Sequence, residues 1–130
     1  MYESRRAPAP KQKIAFVVDD EHAIATTLAT ILNYADYDAR AMFSGEEAVD
    51  ASDNLQPDLL ITDVVMTGMN GIEVAIIIRS KLPKCKILLF SGQAVSLDLL
   101  LIAHLEGHEF EILAKPIHPI DLLEKIRSQP

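Results

Sequence analysis

Short apolar runs alternate along the chain with longer stretches in which apolar and polar residues are mixed. Two of these runs, Ile14 to Val18 and Ile87 to Phe90, are continuously apolar, and a third, Asp58 to Asp63, has the apolar centre Leu59 to Ile61 and ends in a carboxylate. Such runs are typical of strands that are buried on both faces of a parallel sheet. Two weaker runs, Ala39 to Phe43 and Glu111 to Ala114, predict two further strands.

Each predicted strand is followed by a stretch that has helical features. In the first of them, Ile24, Leu28 and Ile31 recur at the three- and four-residue intervals of one helix face. In the second, Ser44 and Glu47 have the Ser-x-x-Glu spacing of a capping box at a helix start. The five predicted helices cover Glu21 to Tyr34, Ser44 to Asp50 or Asp53, Ile72 to Lys81, Leu97 to Leu105 and Pro119 to Arg127.

Five strand-helix units in alternation predict an α/β fold, in which helices cover both faces of a parallel sheet. The common five-stranded, doubly wound sheet has the strand order 2-1-3-4-5. The length of 130 residues suits one domain with one sizeable core. We predict this domain over residues 13–128, preceded by a flexible polar tail over residues 1–12.

Polar side chains stand at the ends of four predicted strands. Asp19 and Asp20 follow the first strand, Asp63 ends the third, Ser91 follows the fourth and Lys115 follows the fifth. In the order 2-1-3-4-5 these four strands are neighbours, and their carboxyl ends share one edge of the sheet. We therefore expect three carboxylates, a hydroxyl and an ammonium group to converge there.

This set of groups favours phosphoryl transfer over other chemistry. Carboxylates that lie close together repel one another unless a cation intervenes, and hard oxygen ligands suit Mg²⁺. Phosphoryl transfer depends mostly on positioning and charge neutralisation. Asp63 would act as the nucleophile that forms an aspartyl phosphate. Lys115 would face the phosphoryl oxygens as a point charge, and Ser91 would donate a hydrogen bond to one of them.

Composition narrows the class of protein. The net charge of −7 argues against direct binding of nucleic acid. Because Cys85 is the single cysteine, the chain forms no intramolecular disulfide, which fits a reducing compartment. We expect Cys85 itself to be a small residue of the core. No apolar run reaches the roughly 18 residues of a membrane span, and the first residues lack a signal-peptide pattern. We therefore expect a cytoplasmic protein with no membrane association.

The motifs together resemble the receiver domain of two-component response regulators, over about Lys13 to Arg127. The resemblance is carried by four motifs in this order and spacing. They are Val17-Val18-Asp19-Asp20-Glu21, Asp63 followed by Met66 and Gly71, Phe90-Ser91-Gly92, and Lys115-Pro116.

The resemblance implies a flavodoxin-like fold and a defined set of roles. Asp63 would accept a phosphoryl group from a phosphohistidine on a sensor histidine kinase or a phosphotransfer protein. Asp20 and the backbone carbonyl of Val65 would bind Mg²⁺ beside Asp63, and Asp19 would bind it largely through water. The family also implies a cis peptide bond before Pro116 and a downstream protein target. Receiver domains are not enzymes that act on a separate substrate.

Two positions depart from the family pattern. Thr67 stands where the family usually has proline, which predicts a less rigid loop after Asp63. Gly68, Asn70 and Gly71 in and after this loop tolerate left-handed backbone angles. Ile112 stands at the family's aromatic switch position, three residues before the lysine. Phe110 lies two residues earlier, on the same face if the strand is regular.

One predicted helix is apolar on nearly every side. Leucines and an isoleucine surround the segment from Leu97 to Leu105, and a core accepts only one stripe of a helix. The outer leucines therefore predict a homodimer or partner surface; a helix sunk deeper than usual is the other reading.

Three further alternatives stay open. A phosphorylation-independent adaptor or dimerisation module on the same fold is the main alternative function. A phosphatase with an aspartate nucleophile would need a second acid where Val65 stands. No output domain follows Arg127 in this sequence, so we expect a stand-alone receiver. The alternative is that the sequence is a piece of a longer protein.

Overall fold

The sheet is built from five parallel strands. The computed structural model describes residues 12–92, 101 and 103–128. The strand order is β2-β1-β3-β4-β5, and every neighbouring pair is parallel, as the sequence predicted. The strands are β1 (Ile14–Val18), β2 (Asp38–Met42), β3 (Leu59–Asp63), β4 (Lys86–Ser91) and β5 (Glu111–Ala114).

Helices follow the strands in the predicted alternation. They are α1 (His22–Tyr34), α2 (Gly45–Ala51), α3 (Gly71–Lys81), α4, of which residues 101 and 103–105 are described, and α5 (Pro119–Ser128). None of the helices in the described ranges combines the length and hydrophobicity that crossing a bilayer requires.

Two sequence predictions fall largely outside the described residues. These are the tail over residues 1–12, of which only Gln12 is described, and most of the apolar helix over residues 97–105. In the described part of α4, Leu101 and Leu105 are 54% and 75% exposed, and Ala103 between them is buried. The homodimer or partner surface on this helix stays a prediction.

The core consists of two clusters, one on each face of the sheet. Phe16 and Val18 of β1 pack with residues of α2, α3 and α4. Ala15 and Val17 of the same strand pack with residues of α1 and α5. Successive side chains of a strand point to opposite faces, so a strand between two helical layers must be apolar at every position. This explains the continuous apolar runs, and it places the strand ends where polar residues can meet.

Local capping fixes where two of the helices begin. At α2, Ser44 Oγ accepts a hydrogen bond from Glu47 N at 3.0 Å, while the Glu47 carboxylate accepts from Phe43 N at 2.8 Å. At α3, Asn70 and Glu73 form a complete, reciprocal capping box. Asn70 was expected to tolerate left-handed backbone angles, but its backbone here is extended, with a φ of −80°.

Cys85 lies in the core, directly before β4, as the sequence predicted. Its side chain is 4% exposed, and burial raises the pKa of the thiol to about 12. Because the thiolate is the reactive form, we expect an aromatic disulfide reagent at about pH 8 to label the folded protein at least roughly 100-fold more slowly than the urea-unfolded chain. Absorbance of the released thiol gives both rates, and equal rates would contradict this burial.

Candidate functional site

The carboxyl ends of β1, β3, β4 and β5 meet at one edge of the sheet and form a small pocket. Asp63 pairs with Phe90 across β3 and β4, and Ser91 pairs with Ala114 across β4 and β5, so these strands end at the same level. The pocket has a volume of about 250 Å³ and is lined by Asp20, Glu21, Asp63, Val65, Ser91, Gly92 and Lys115.

Three carboxylates crowd together at this pocket. One oxygen each from Asp19, Asp20 and Asp63 lies within 4.8 Å of the other two. Asp19 and Asp63 are buried, and Asp20 is exposed. Among the described residues this is the only group of acidic, histidine or cysteine side chains arranged for a metal ion. All three donors are hard oxygens, the ligands that Mg²⁺ prefers.

Lys115 lies between the two buried acids. Its Nζ donates to Asp19 Oδ2 at 2.6 Å and is 3.4 Å from Asp63 Oδ1. Burial by itself lowers the pKa of Lys115, but the hydrogen bond and charge of Asp19, reinforced by Asp63, outweigh it and leave that pKa raised. Lys115 therefore stays an ammonium group at neutral pH.

The two neighbouring aspartates differ in how they are held. Asp19 is tied at both oxygens, because Oδ1 also accepts from Glu21 N at 2.9 Å. Asp20 is more exposed, and its Oδ2 accepts a hydrogen bond from Thr67 N at 3.2 Å. This difference leaves Asp20 the more available of the two for a direct bond to a cation.

At Asp63, burial and a neighbouring negative charge both oppose ionisation of the carboxyl group. Its pKa is raised above the ordinary value, first by burial and then by the charge of Asp19, and Lys115 offsets these effects only in part. A buried carboxylate in this position is stabilised when another cation approaches it. The site is therefore prepared to receive a cation.

The loop between β3 and α3 is held by contacts that the sequence did not reveal. Thr67 N and Met69 N donate to the carboxylates of Asp20 and Glu46, each at 3.2 Å. Gly68 alone in this loop adopts the left-handed region, with a φ of +80°. The less rigid loop expected from Thr67 stays a prediction, and two backbone amides inside the loop are hydrogen-bonded to carboxylates outside it.

Gly71 is required for a different reason from the expected one. A Cβ at this position would lie 1.9 Å from the backbone oxygen of Asp63 and 3.0 Å from Val64 Cα. The amide of Gly71 also donates to Val64 O at 2.8 Å. The first turn of α3 thus lies directly against the backbone of Asp63, an approach that only glycine allows.

Ile112, which stands at the family's aromatic switch position, lies in β5. Phe110 directly precedes β5, and both Phe110 and Ile112 pack against the cluster on the α3 face, as a regular strand predicts. The Arg79 guanidinium lies 5.5 Å from the centre of the Phe110 ring, which His108 also stacks against. The Lys115-Pro116 peptide bond is cis, as the resemblance implied.

Comparisons with known proteins agree with this geometry. Residues 15–127 match the family model of the response regulator receiver domain. The DNA-binding response regulator MtrA of Mycobacterium tuberculosis is 31% identical over 119 residues, which are 92% of this chain and 50% of that protein. The alkaline phosphatase synthesis transcriptional regulatory protein PhoP of Bacillus subtilis is 29% identical over 116 residues, 89% of this chain and 48% of that protein. The chain spans about half the length of the curated relatives it matches.

Solved structures show the same fold. A CheY-like response regulator receiver domain protein from Methanospirillum hungatei has a TM-score of 0.82 and 26% identity, over 92% of this chain and 94% of that one. The chemotaxis protein CheY4 of Vibrio cholerae has a TM-score of 0.79 at 24% identity, over 91% of this chain and 98% of that one. Because the family model covers nearly the whole sequence, the chain belongs to the response regulator receiver domain family.

Proposed function

We propose that Asp63 is the phosphoacceptor of this domain and takes a phosphoryl group from a phosphohistidine on a sensor histidine kinase or phosphotransfer protein. The observation that carries this proposal is the position of Asp63. It ends β3 at the pocket, with the Lys115 ammonium 3.4 Å away and two more carboxylates within 4.8 Å. The proposed nucleophile thus lies beside both a fixed ammonium group and a candidate metal site.

Asp63, Lys115 and Ser91 have different roles in the phosphoryl transfer. An oxygen of Asp63 forms the new bond to phosphorus, while the bond from phosphorus to the imidazole nitrogen breaks and its electron pair stays on the histidine. Lys115 neutralises negative charge on the phosphoryl oxygens, and the Ser91 hydroxyl donates a hydrogen bond to one of them. Both side chains line the same pocket as Asp63. Positioning and charge neutralisation are the main demands of such a transfer.

We further propose Mg²⁺ as the metal of this site. The oxygen donors and the raised pKa of Asp63 suit a hard cation. Asp20, Asp63 and the backbone carbonyl of Val65 would hold it directly, and Asp19, whose oxygens already bind Lys115 and Glu21, would hold it largely through water. When bound, Mg²⁺ supplies charge neutralisation for the transferred phosphoryl group.

The partners follow from this chemistry. A histidine kinase or phosphotransfer protein supplies the phosphoryl group, and a downstream protein target reads the phosphorylated state. Direct binding of nucleic acid is not part of the proposal, because the net charge is −7. We place the domain in the cytoplasm, where its single thiol remains reduced. The reaction modifies Asp63 of the domain itself, and apart from the phosphoryl donor the domain acts on no separate substrate.

Intact mass spectrometry tests the proposal. Incubation with acetyl phosphate and Mg²⁺ is expected to add one phosphoryl group to the wild-type chain, and chelation of the metal is expected to abolish the reaction. The Asp63→Asn variant keeps the shape of the side chain but loses the nucleophilic carboxylate, so we expect no adduct. Decay of the wild-type adduct then gives the lifetime of the signal.

Two outcomes would contradict the phosphoacceptor role. The first is an adduct that persists in Asp63→Asn, which would place the reaction elsewhere. The second is a wild-type protein that forms no adduct, shows no response to beryllofluoride and binds no Mg²⁺. That result would favour the phosphorylation-independent adaptor or dimerisation module.

A further inference from the structure

The loop between β3 and α3 makes two similar hydrogen bonds with different consequences. Met69 N donates to Glu46 of α2, which is not among the candidate metal ligands. Thr67 N donates to Asp20 Oδ2, and Asp20 belongs to the acidic cluster. One backbone amide of this loop therefore touches a candidate metal ligand directly.

Asp20 needs such a partner more than its neighbours do. Asp19 is buried and held at both oxygens, and Asp63 is buried at the end of a strand. Asp20 is exposed and lies in the short connection between β1 and α1. An exposed side chain without a fixed contact samples several rotamers, which costs entropy when it must bind an ion in one of them.

We propose that the backbone N–H of Thr67 is a positioning donor that fixes Asp20 for Mg²⁺; this inference rests on the proposed function. By holding Oδ2, the amide leaves Oδ1 of the same carboxylate for the cation. It also joins Asp20 to the loop that carries Val65, so that two candidate ligand groups move as one hydrogen-bonded unit. Proline, the residue that the family usually has here, carries no N–H and makes no such bond.

Thr67→Pro tests the proposal, and Thr67→Ala is its matched control. Proline removes the donor, whereas alanine keeps it and removes only the hydroxyl side chain. Partners that orient a metal ligand typically change metal affinity by about 10- to 100-fold. We expect a Mg²⁺ dissociation constant about tenfold higher in Thr67→Pro and within about twofold of wild type in Thr67→Ala. Amide NMR shifts during a Mg²⁺ titration give these constants.

A double-mutant cycle separates positioning from a general effect of proline on the loop. If Thr67 acts through Asp20, Thr67→Pro has no further effect on Mg²⁺ affinity in an Asp20→Ala background. An equal loss of affinity in both backgrounds, or no loss in the wild-type background, would overturn the positioning role. A wild-type protein that binds no Mg²⁺ would instead contradict the proposed Mg²⁺ site, and this role with it.

A second measurement needs no proline variant. In the metal-free protein, the Thr67 amide proton is expected to shift upfield and to exchange faster in Asp20→Ala, because its acceptor is gone. The Met69 amide serves as an internal control, since its acceptor Glu46 is untouched, and Glu46→Ala should show the reverse pattern. The inference would be overturned if the chemical shift and the exchange rate of the Thr67 amide were the same in Asp20→Ala as in wild type.

Discussion

Replacing Gly71 with alanine is expected to destabilise the folded protein by about 3 kcal/mol. At an ordinary site in the first turn of a helix, this substitution would stabilise the protein slightly, because alanine has the higher helix propensity. Here the new methyl group would lie 1.9 Å from the backbone oxygen of Asp63 and 2.8 Å from its carbonyl carbon. Overpacking of this kind typically costs about 1–3 kcal/mol, and the obstacle is backbone, which cannot rotate away.

Urea denaturation followed by circular dichroism measures this loss. Gly92→Ala is the matched control, because a Cβ at that position would meet only the Lys115 side chain, at 3.6 and 3.7 Å. We expect the control to stay within about 1 kcal/mol of wild type. A Gly71→Ala protein as stable as wild type would show that α3 does not pack against the Asp63 backbone as described.

The same substitution is expected to slow phosphorylation. To relieve the contact, either α3 or the end of β3 must move, and the hydrogen bond from Gly71 N to Val64 O links the two. Either movement displaces Asp63 from Lys115, and displacements of about 1 Å can cost about 100-fold in rate. The rate of adduct formation from acetyl phosphate, measured on the folded fraction, checks this consequence.

Replacing Lys115 with methionine is expected to destabilise the metal-free protein by about 2 kcal/mol near neutral pH. The substitution leaves the buried carboxylates of Asp19 and Asp63 without their cation. Removal of one partner from a deeply buried ion pair costs about 3–5 kcal/mol. We expect less because the site opens to solvent through the pocket.

A surface lysine of similar geometry provides the control. Lys125 Nζ lies 2.6 Å from Glu111 Oε1, but both side chains are about a third exposed. Exposed pairs contribute about 0–1 kcal/mol, so Lys125→Met should change the free energy of unfolding by less than about 1 kcal/mol. Equal losses in the two variants would contradict the special role of Lys115. If Mg²⁺ binds the folded state as proposed, it is expected to restore part of the stability of Lys115→Met.

Acidification is expected to reduce the loss in Lys115→Met. Lys115 lowers the pKa of Asp63, so its removal raises that pKa further above the value in the unfolded chain. A folded carboxyl with a raised pKa binds its proton at a higher pH than the unfolded chain does. The folded state then gains stability as pH falls toward that pKa. The difference from wild type should therefore be smaller at about pH 5.5 than at about pH 7.

The sequence predicted most of the architecture because the relevant signals are local. Buried parallel strands need apolar side chains on both faces, so Leu59 to Ile61 and Ile87 to Phe90 were visible as continuous runs. Boundaries were less certain. The second strand begins and ends one residue earlier than predicted. It ends at Met42 because Phe43 donates its amide to Glu47 at the start of α2 instead of continuing the ladder.

The sequence by itself determined the fold class and which side chains meet at the sheet edge. Asp19, Asp20, Asp63, Ser91 and Lys115 each follow or end a strand, and parallel topology brings strand ends together whatever the side-chain details. Only the tertiary structure decided how these groups are held. The hydrogen bonds from Lys115 to Asp19 and from the Thr67 amide to Asp20 depend on side-chain rotamers. The close approach of Gly71 to the Asp63 backbone depends on the packing of α3 against β3. Such contacts join residues from different elements at distances of a few ångströms, and no pattern along the chain encodes those distances.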